Sequence, residues 1–395
     1  MGRSDSMATQ TDSSCQSDFL PAGFAARPYQ QRIIEKAVSL FQGTARDAKG
    51  VSEPQVASVL VESPTGSGKT IMGLAIARWM QQHLGYRVGW TAMRRNLLAQ
   101  AAAENQRGFG VDLQLISMFE KHPPQVDLLI IDEAQHDGAL SMANLHSCIK
   151  PKNILGLSAT PFRSDRFKLC FERSIRDAGV HALIQEGYLS PYHHYTIPRY
   201  APAEVAASYA RDWQRWGRSL IFFHKMQDCR LCQRELSRRG IDAELVTAKS
   251  DRERQIADFS AGRVSVMISM MILAEGFDCP ALQTVFCRPS GRLCTVQMAG
   301  RALRKHPSIP FKQVVQCAQT RYPFPRGATP AEQYLWNDAD GWRSLKLNRQ
   351  IEAITRRMQS LIAASSSQLP ALLTHQAAAR TRPWWRRIDP SESVA

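Results

Sequence analysis

From Arg27 onward, short apolar runs alternate with longer stretches whose apolar positions follow helical spacing. Val56–Val61, Arg87–Thr91, Leu113–Ser117, Leu128–Ile131 and Ile154–Leu157 read as strands. An uninterrupted run such as Leu128-Leu129-Ile130-Ile131 predicts a strand buried on both faces. A second set follows, Ser219–Phe223, Ala243–Val246, Val264–Ser269, Thr284–Cys287 and Gln313–Ala318, with helices such as Gln227–Arg238 and Asp251–Phe259 between them. Parallel strands need crossover connections, so the alternation predicts two consecutive α/β units, each a parallel sheet flanked by helices. The boundary falls in Leu183–Pro191, where a helical stretch ends and the chain turns extended. Domains are therefore expected over 23–189 and 190–320, after a leader over 1–22 that reads as disordered, being rich in Ser, Asp, Thr and Gln without periodicity. An extension over 321–395 is less legible; in it Ile354, Met358, Leu361 and Ile362 recur at helical spacing, predicting an amphipathic helix that Ser365–Ser367 and Pro370 end.

Composition sharpens this little, but charge does. A net charge of +15 with a pI near 9.6 hints at a polyanionic partner such as nucleic acid. The tail Arg380-Thr381-Arg382-Pro383-Trp384-Trp385-Arg386-Arg387 interleaves cations with indoles. Two readings stand for it: stacking on bases with phosphate pairing, or packing of the indoles onto the protein body. No apolar run is long enough for a membrane span, and the nine cysteines form no disulfide-like framework, so a cytoplasmic location is the expectation. Cys229-Arg230-Leu231-Cys232 has metal-like spacing but no second Cys or His pair nearby, and reads as two half-buried helix residues.

Candidate chemistry begins at Ser63-Pro64-Thr65-Gly66-Ser67-Gly68-Lys69-Thr70, between the strand Val56–Val61 and a helical stretch from Ile71 to Met80. A strand, a glycine-rich turn and a helix N-terminus make a phosphate cradle. Gly66 and Gly68 let consecutive N–H groups face one anion, and the helix dipole adds partial positive charge. Lys69 is placed to reach β/γ-phosphates and Thr70 to hold Mg²⁺. The spacing fits the Walker A pattern except that Ser63 stands where the first glycine is usual. The acids of Leu128-Leu129-Ile130-Ile131-Asp132-Glu133-Ala134-Gln135-His136 fall where a buried strand ends, beside the cradle in a parallel sheet. Asp132 is placed to hold Mg²⁺ and Glu133 to deprotonate the water that attacks a γ-phosphate.

With Ser158-Ala159-Thr160 on the next strand and Gln297-Met298-Ala299-Gly300-Arg301-Ala302-Leu303-Arg304 far downstream, the set resembles motifs I, II, III and VI of superfamily 2 helicases. The likeness is to the DEAD/DEAH-like branch that holds type III restriction enzyme motor subunits and Ssl2/XPB-like DNA helicases, and it spans roughly Phe24 to Gln319. It implies two tandem RecA-like P-loop NTPase domains with ATP and Mg²⁺ between them. Arg27-Pro28-Tyr29-Gln30 resembles the Q motif, so Gln30 would read the adenine edge with Tyr29 or Arg27 close to the base. Thr91-Ala92-Met93-Arg94-Arg95 resembles motif Ia, which grips a sugar-phosphate backbone; Leu220–His224 resembles motif IV. Leu273–Pro280 resembles motif V, so Gly276 and Asp278 would contact ribose or the metal shell. Arg301 and Arg304, one helical turn apart, would reach the γ-phosphate as arginine fingers beside Gln297. Motif II departs from the named boxes, because Gln135 stands where His or Asp is usual; it can still hydrogen-bond toward Ser158 or the second domain. His136 beside it reads as a surface histidine.

The resemblance implies a nucleic-acid-dependent ATPase that translocates along or unwinds DNA, favoured over RNA, as a monomer on its track. No nuclease motif or zinc finger is recognisable in the sequence. Two other classes stand beside it: the motor portion of a restriction or defence assembly whose cleavage belongs to a partner, and an ATP-switched nucleic-acid clamp.

Overall fold

A computed structural model describes residues 19–136, 140–162, 168–247, 249–270, 279–339, 341–345, 357, 358, 360 and 361. The chain divides into two compact units, Met1–Ser344 and Leu345–Ala395. Both sheets belong to the first.

The first sheet comprises β1 (Ser58–Glu62), β2 (Val88–Ala92), β3 (Leu113–Ser117), β4 (Leu128–Asp132), β5 (Asn153–Ser158) and β6 (Arg173–Ile175). Its order is β3-β2-β4-β5-β1-β6, with every pairing parallel. Helices α1 (Pro28–Gln42), α2 (Lys69–Leu84), α3 (Arg95–Glu104) and α4 (Leu140–Ile149) belong to this half, and α5 (Val180–Gln185) leads out of it. Because β2 and β4 are buried at every residue, their sequences lack in-out alternation. In the register of β1 with β5, Glu62 faces Ser158, so the loops after β1, β4 and β5 open at one edge of the sheet.

The second sheet runs β14-β13-β7-β12-β11-β8-β10-β9. It contains β7 (Tyr192–Ile197), β8 (Ser219–Phe222), β9 (Ala243–Val246), β10 (Val266–Ser269), β11 (Thr284–Phe286), β12 (Lys312–Cys317), β13 (Glu332–Asn337) and β14 (Gly341–Ser344). All pairings are parallel except the β13–β14 hairpin. Helices α6 (Pro202–Arg211), α7 (Trp213–Trp216), α8 (Met226–Ser237), α9 (Arg252–Ala261) and α10 (Arg292–Gly300) connect the strands. The hairpin is anchored by aromatic packing: Tyr334 stacks on Tyr195 at 4.8 Å, and the Trp342 indole N–H donates to Asp212 at 2.6 Å.

Four strands were absent from the sequence reading. β6 is three residues long, and β7 carries His193 and His194 in place of an apolar run. β14 is the edge strand and β13 lies next to it, and the polar and aromatic residues of both show no buried-strand pattern. Phe19, assigned to the leader, is 9% exposed and stacks on Trp79 at 6.2 Å. In the second unit, residues 357, 358, 360 and 361 are helical and exposed. Ile354 and Ile362 of the expected amphipathic helix, and the tail from Arg380 to Arg387, lie outside the described residues.

Candidate active site

The cradle begins where β1 ends. Ser63 N donates to Ser158 O at 2.9 Å, carrying the β1–β5 pairing one residue into the loop. Gly66 and Gly68 both adopt φ +83°. A Cβ on Gly68 would stand 2.4 Å from Gln30 Nε2, and one on Gly66 would stand 3.3 Å from Arg304 Cγ, so conformation and space both demand glycine. The Ser63 hydroxyl donates to Ser67 Oγ at 2.7 Å across the loop. Lys69, at the start of α2, curls back so that Nζ donates to Ser63 O at 3.2 Å and Pro64 O at 3.4 Å. Desolvation lowers its pKa, while the Glu133 and Asp132 carboxylates pull it back up.

α1 braces this loop from outside. Tyr29 Oη and Gln30 Nε2 both donate to Ser67 O, at 2.6 and 2.8 Å, and Gln30 Oε1 accepts from Arg27 N at 2.9 Å. Gln30 is 3% exposed; its carbonyl and one amide hydrogen are committed to the protein, which leaves one amide hydrogen. Arg27 donates to Tyr29 Oη at 3.2 Å and lies 5.0 Å over the Tyr188 ring.

β4 delivers the acids. Glu133 N donates to Asp132 Oδ1 at 3.0 Å, and Glu133 itself sits at φ +55°, uncommon for a residue with a side chain. Its carboxylate accepts from Gln135 Nε2 at 2.9 Å, and Gln135 Oε1 accepts from the Ser158 hydroxyl at 2.6 Å. Of the two partners expected for Gln135, the structure selects Ser158. Burial, and then the charge of Glu133, push the Asp132 carboxyl well above its ordinary range, with Lys69 opposing. The side chain of His136 is outside the described set.

The second half contributes through α10. Gln297 is 5% exposed on that helix, and Arg301, 4% exposed, brings Nη2 to 3.9 Å from Glu133 Oε1. The helix expected to carry both arginines stops short of them. It ends at Gly300, and Arg301, Ala302 and Leu303 continue in tighter turns, their N–H groups donating to Met298, Ala299 and Gly300. Glycine has poor helix propensity, and Gly300 packs so closely on Thr65 that a Cβ would lie 3.2 Å from Thr65 Cβ. Arg301 and Arg304 nonetheless line the same cavity.

That cavity, about 460 Å³, is lined by Arg27, Gln30, Thr65, Gly66, Gly68, Lys69, Thr70, Asp132, Glu133, Arg301 and Arg304. Ser63, Pro64, Ser67 and Gln297 are not in its lining. Gly276 and Asp278 lie outside the described residues. The cavity also takes in Leu20, Phe24, Gln100, Glu104 and Arg107, none of which sequence reasoning singled out. Leu20 and Phe24 are held by packing, with Phe24 5.0 Å from Phe109. Glu104 and Arg107 form a pair at 2.8 Å where α3 passes into a π-helical turn over Asn105–Phe109. Nothing in their spacing marks them.

Among the described residues, no group of three or more His, Cys, Asp or Glu could hold a metal ion, and no helix is long and apolar enough to cross a membrane. Cys229 and Cys232 are fully buried on α8, and burial pushes their thiols up to about 11 and about 12.

Residues 23–119 match the family described as "Type III restriction enzyme, res subunit", and residues 204–306 match "Helicase conserved C-terminal domain". The chain is 25% identical over 284 residues to the 51.5 kDa protein of a Lactococcus phage (isolate 7-9), covering 62% of each. It is 34% identical over 77 residues to the ATP-dependent RNA helicase eIF4A of Encephalitozoon cuniculi (strain GB-M1), covering 19% of this chain and 18% of that one. Thus the chain spans under two thirds of the length of these relatives. Among solved structures, the ATP-dependent Type ISP restriction-modification enzyme LlaBIII bound to DNA aligns with TM-score 0.56 at 14% identity, over 74% of this chain and 27% of that one. Dbp5 of S. cerevisiae bound to RNA and ADP BeF3 aligns with TM-score 0.52 at 15% identity, over 74% and 88%. The chain therefore carries superfamily 2 helicase-like domains with an ATP-binding cradle, related to restriction-enzyme motor subunits.

Proposed function

We propose that this chain is an ATP-driven nucleic-acid translocase or helicase that hydrolyses ATP where its two RecA-like halves meet. The observation that carries this reading is the approach of Arg301 to Glu133 at 3.9 Å in a cavity that also holds the cradle. A site divided between two halves couples hydrolysis to their relative movement. In this reading the cradle N–H groups and Lys69 bind the phosphates, and Glu133 takes the proton of the attacking water. Arg301 and Arg304 offset the charge that develops in the transition state. Gln297, buried on α10 one turn before Arg301, is assigned to position that arginine. Arg27 and Gln30 serve the base end, Gln30 through its remaining amide hydrogen.

Thr70 and Asp132 fit a Mg²⁺ ion. Both face the cavity, and burial, then the charge of Glu133, push the Asp132 carboxyl toward its neutral form, a penalty that a dication would relieve. Two protein groups suffice because Mg²⁺ takes its remaining oxygens from phosphates and water. When bound, the ion neutralises phosphate charge; the chain's own residues supply everything else named here.

The nucleic acid is proposed to be DNA, contacted through its backbone, with Thr91–Arg95 as one grip and the protein acting as a cytoplasmic monomer. The excess of positive charge and the match of 23–119 to a restriction subunit support this. ATP turnover measured with single-stranded DNA, duplex DNA and RNA side by side tests it; stimulation by RNA alone would overturn the DNA assignment. Lys69→Ala hydrolysing ATP as fast as wild type would overturn the site itself. A second reading, the motor part of a restriction or defence assembly, is favoured by the same match. Co-purification of a nuclease or methyltransferase subunit would support it.

A further inference from the structure

Behind the nucleotide cavity lies a larger one of about 880 Å³. Pro64, Phe162, Val180, Leu293, Val296 and Phe324 supply an apolar lining drawn from the cradle, from the loop after β5, from α5, from α10 and from the turn after β12. Its volume lies within the roughly 300–1,000 Å³ of sites that take small organic ligands. The partition between the cavities is thin: Thr65 faces the first and its neighbour Pro64 the second, while α10 presents Leu293 and Val296 to the second and leads directly to Arg301 in the first. The charged groups that line the second cavity are Arg176, Arg292 and Glu62, with His181 beside them. Arg176 is only loosely paired with Glu62, at 3.8 Å, and Arg292 is exposed at the first residue of α10. His181 Nδ1 accepts from Thr329 N at 3.4 Å, which leaves its Nε2–H as a donor.

We propose that this cavity is a second ligand site, for a small apolar molecule bearing one anionic group, and that its occupancy slows ATP turnover. The apolar walls take the body of the molecule, and Arg292, Arg176 and His181 take the anion. A molecule filling the space fixes the distance between Pro64 and α10. Arg301 then cannot shift relative to the cradle. The regulatory half of this inference rests on the nucleotide-site reading above; the binding half does not.

The probe is anilinonaphthalene sulfonate, an aromatic body with one sulfonate, added to the full-length chain. The expected result is a saturable fluorescence rise at one molecule per chain. Arg292→Ala should weaken binding about tenfold, the size of one charge-assisted contact, and uncharged N-phenylnaphthylamine should bind more weakly than the sulfonate. Cys294→Trp and Val180→Trp each put an indole into the lining from a different helix, and each should weaken the signal while circular dichroism stays unchanged. Cys294, a partly exposed lining residue, provides a map without mutation. Saturating probe should slow its alkylation by N-ethylmaleimide, read by mass spectrometry, and leave exposed Cys148 unaffected. Binding undiminished in both tryptophan variants, or Cys294 alkylation indifferent to the probe, would overturn the site. Turnover unchanged by saturating probe would overturn the regulation. Absence of any ATP turnover without probe would count against the nucleotide reading and leave the binding result standing.

Discussion

Glu133 combines a left-handed backbone, a hydrogen bond from Gln135 and an arginine from the other half of the molecule. A residue held in a sparsely populated conformation by its surroundings is a mark of a constrained site. Glu133→Gln preserves shape and removes the base, so nucleic-acid-stimulated hydrolysis should fall by about 10²–10⁴-fold. ATP binding, followed by a fluorescent nucleotide, should survive. Away from the site, His194 on β7 is 4% exposed and sits 3.1 Å from Gln316 Oε1, and burial pushes its pKa down to about 4. The unfolded chain binds this proton from about pH 6.5 downward, whereas the folded chain resists until about pH 4. The depressed value therefore contributes stability that is complete above about pH 6.5 and is lost as pH falls toward 4, with a slope of at most about 1.4 kcal/mol per pH unit. Urea unfolding at pH 7, 6 and 5 checks this: His194→Gln should show a shallower decline than wild type.

At the scale of elements, the strand-cradle-helix unit depends on α1, which reaches Ser67 O through Tyr29 and Gln30. Gly68→Ala would place a methyl against Gln30 Nε2 at a left-handed position, a backbone cost of about 1–2 kcal/mol before any displacement of Gln30. Nucleotide affinity should fall at least about tenfold while thermal melting drops by only a few degrees, because the strain is confined to the loop. Strand existence was legible wherever a strand is buried on both faces, as in β2 and β4, since burial demands an apolar run. It was illegible where another interaction satisfies the strand. β7 buries His194 against Gln316, and β13 and β14 trade apolar burial for stacking among Tyr195, Tyr334 and Trp342. The end of α10 was likewise illegible, because Gly300 yields there to close packing on Thr65 rather than to a local stop signal.

At the scale of the whole molecule, one cavity gathers residues from Leu20 to Arg304. Arg301→Ala should lower stimulated turnover by about 10³-fold or more, as expected when an arginine finger is removed, with a smaller change in the ATP concentration at half-saturation. Steady-state kinetics with saturating DNA distinguishes that split from a loss of binding. The net charge of +15 predicts nucleic-acid affinity that falls steeply with salt; a titration from low to physiological ionic strength should give a linear log–log decline. Local pattern by itself determined the alternation of strands and helices, the glycine cradle and the placing of acids at a strand end, because each follows from backbone sterics and short-range periodicity. Only the tertiary structure decided that Gln135 turns to Ser158, that Gln30 braces the cradle, that Glu104 and Arg107 reach the nucleotide cavity, and that a second cavity stands behind Pro64. Those outcomes depend on which distant surfaces pack together, and no spacing along the chain encodes a distance across it.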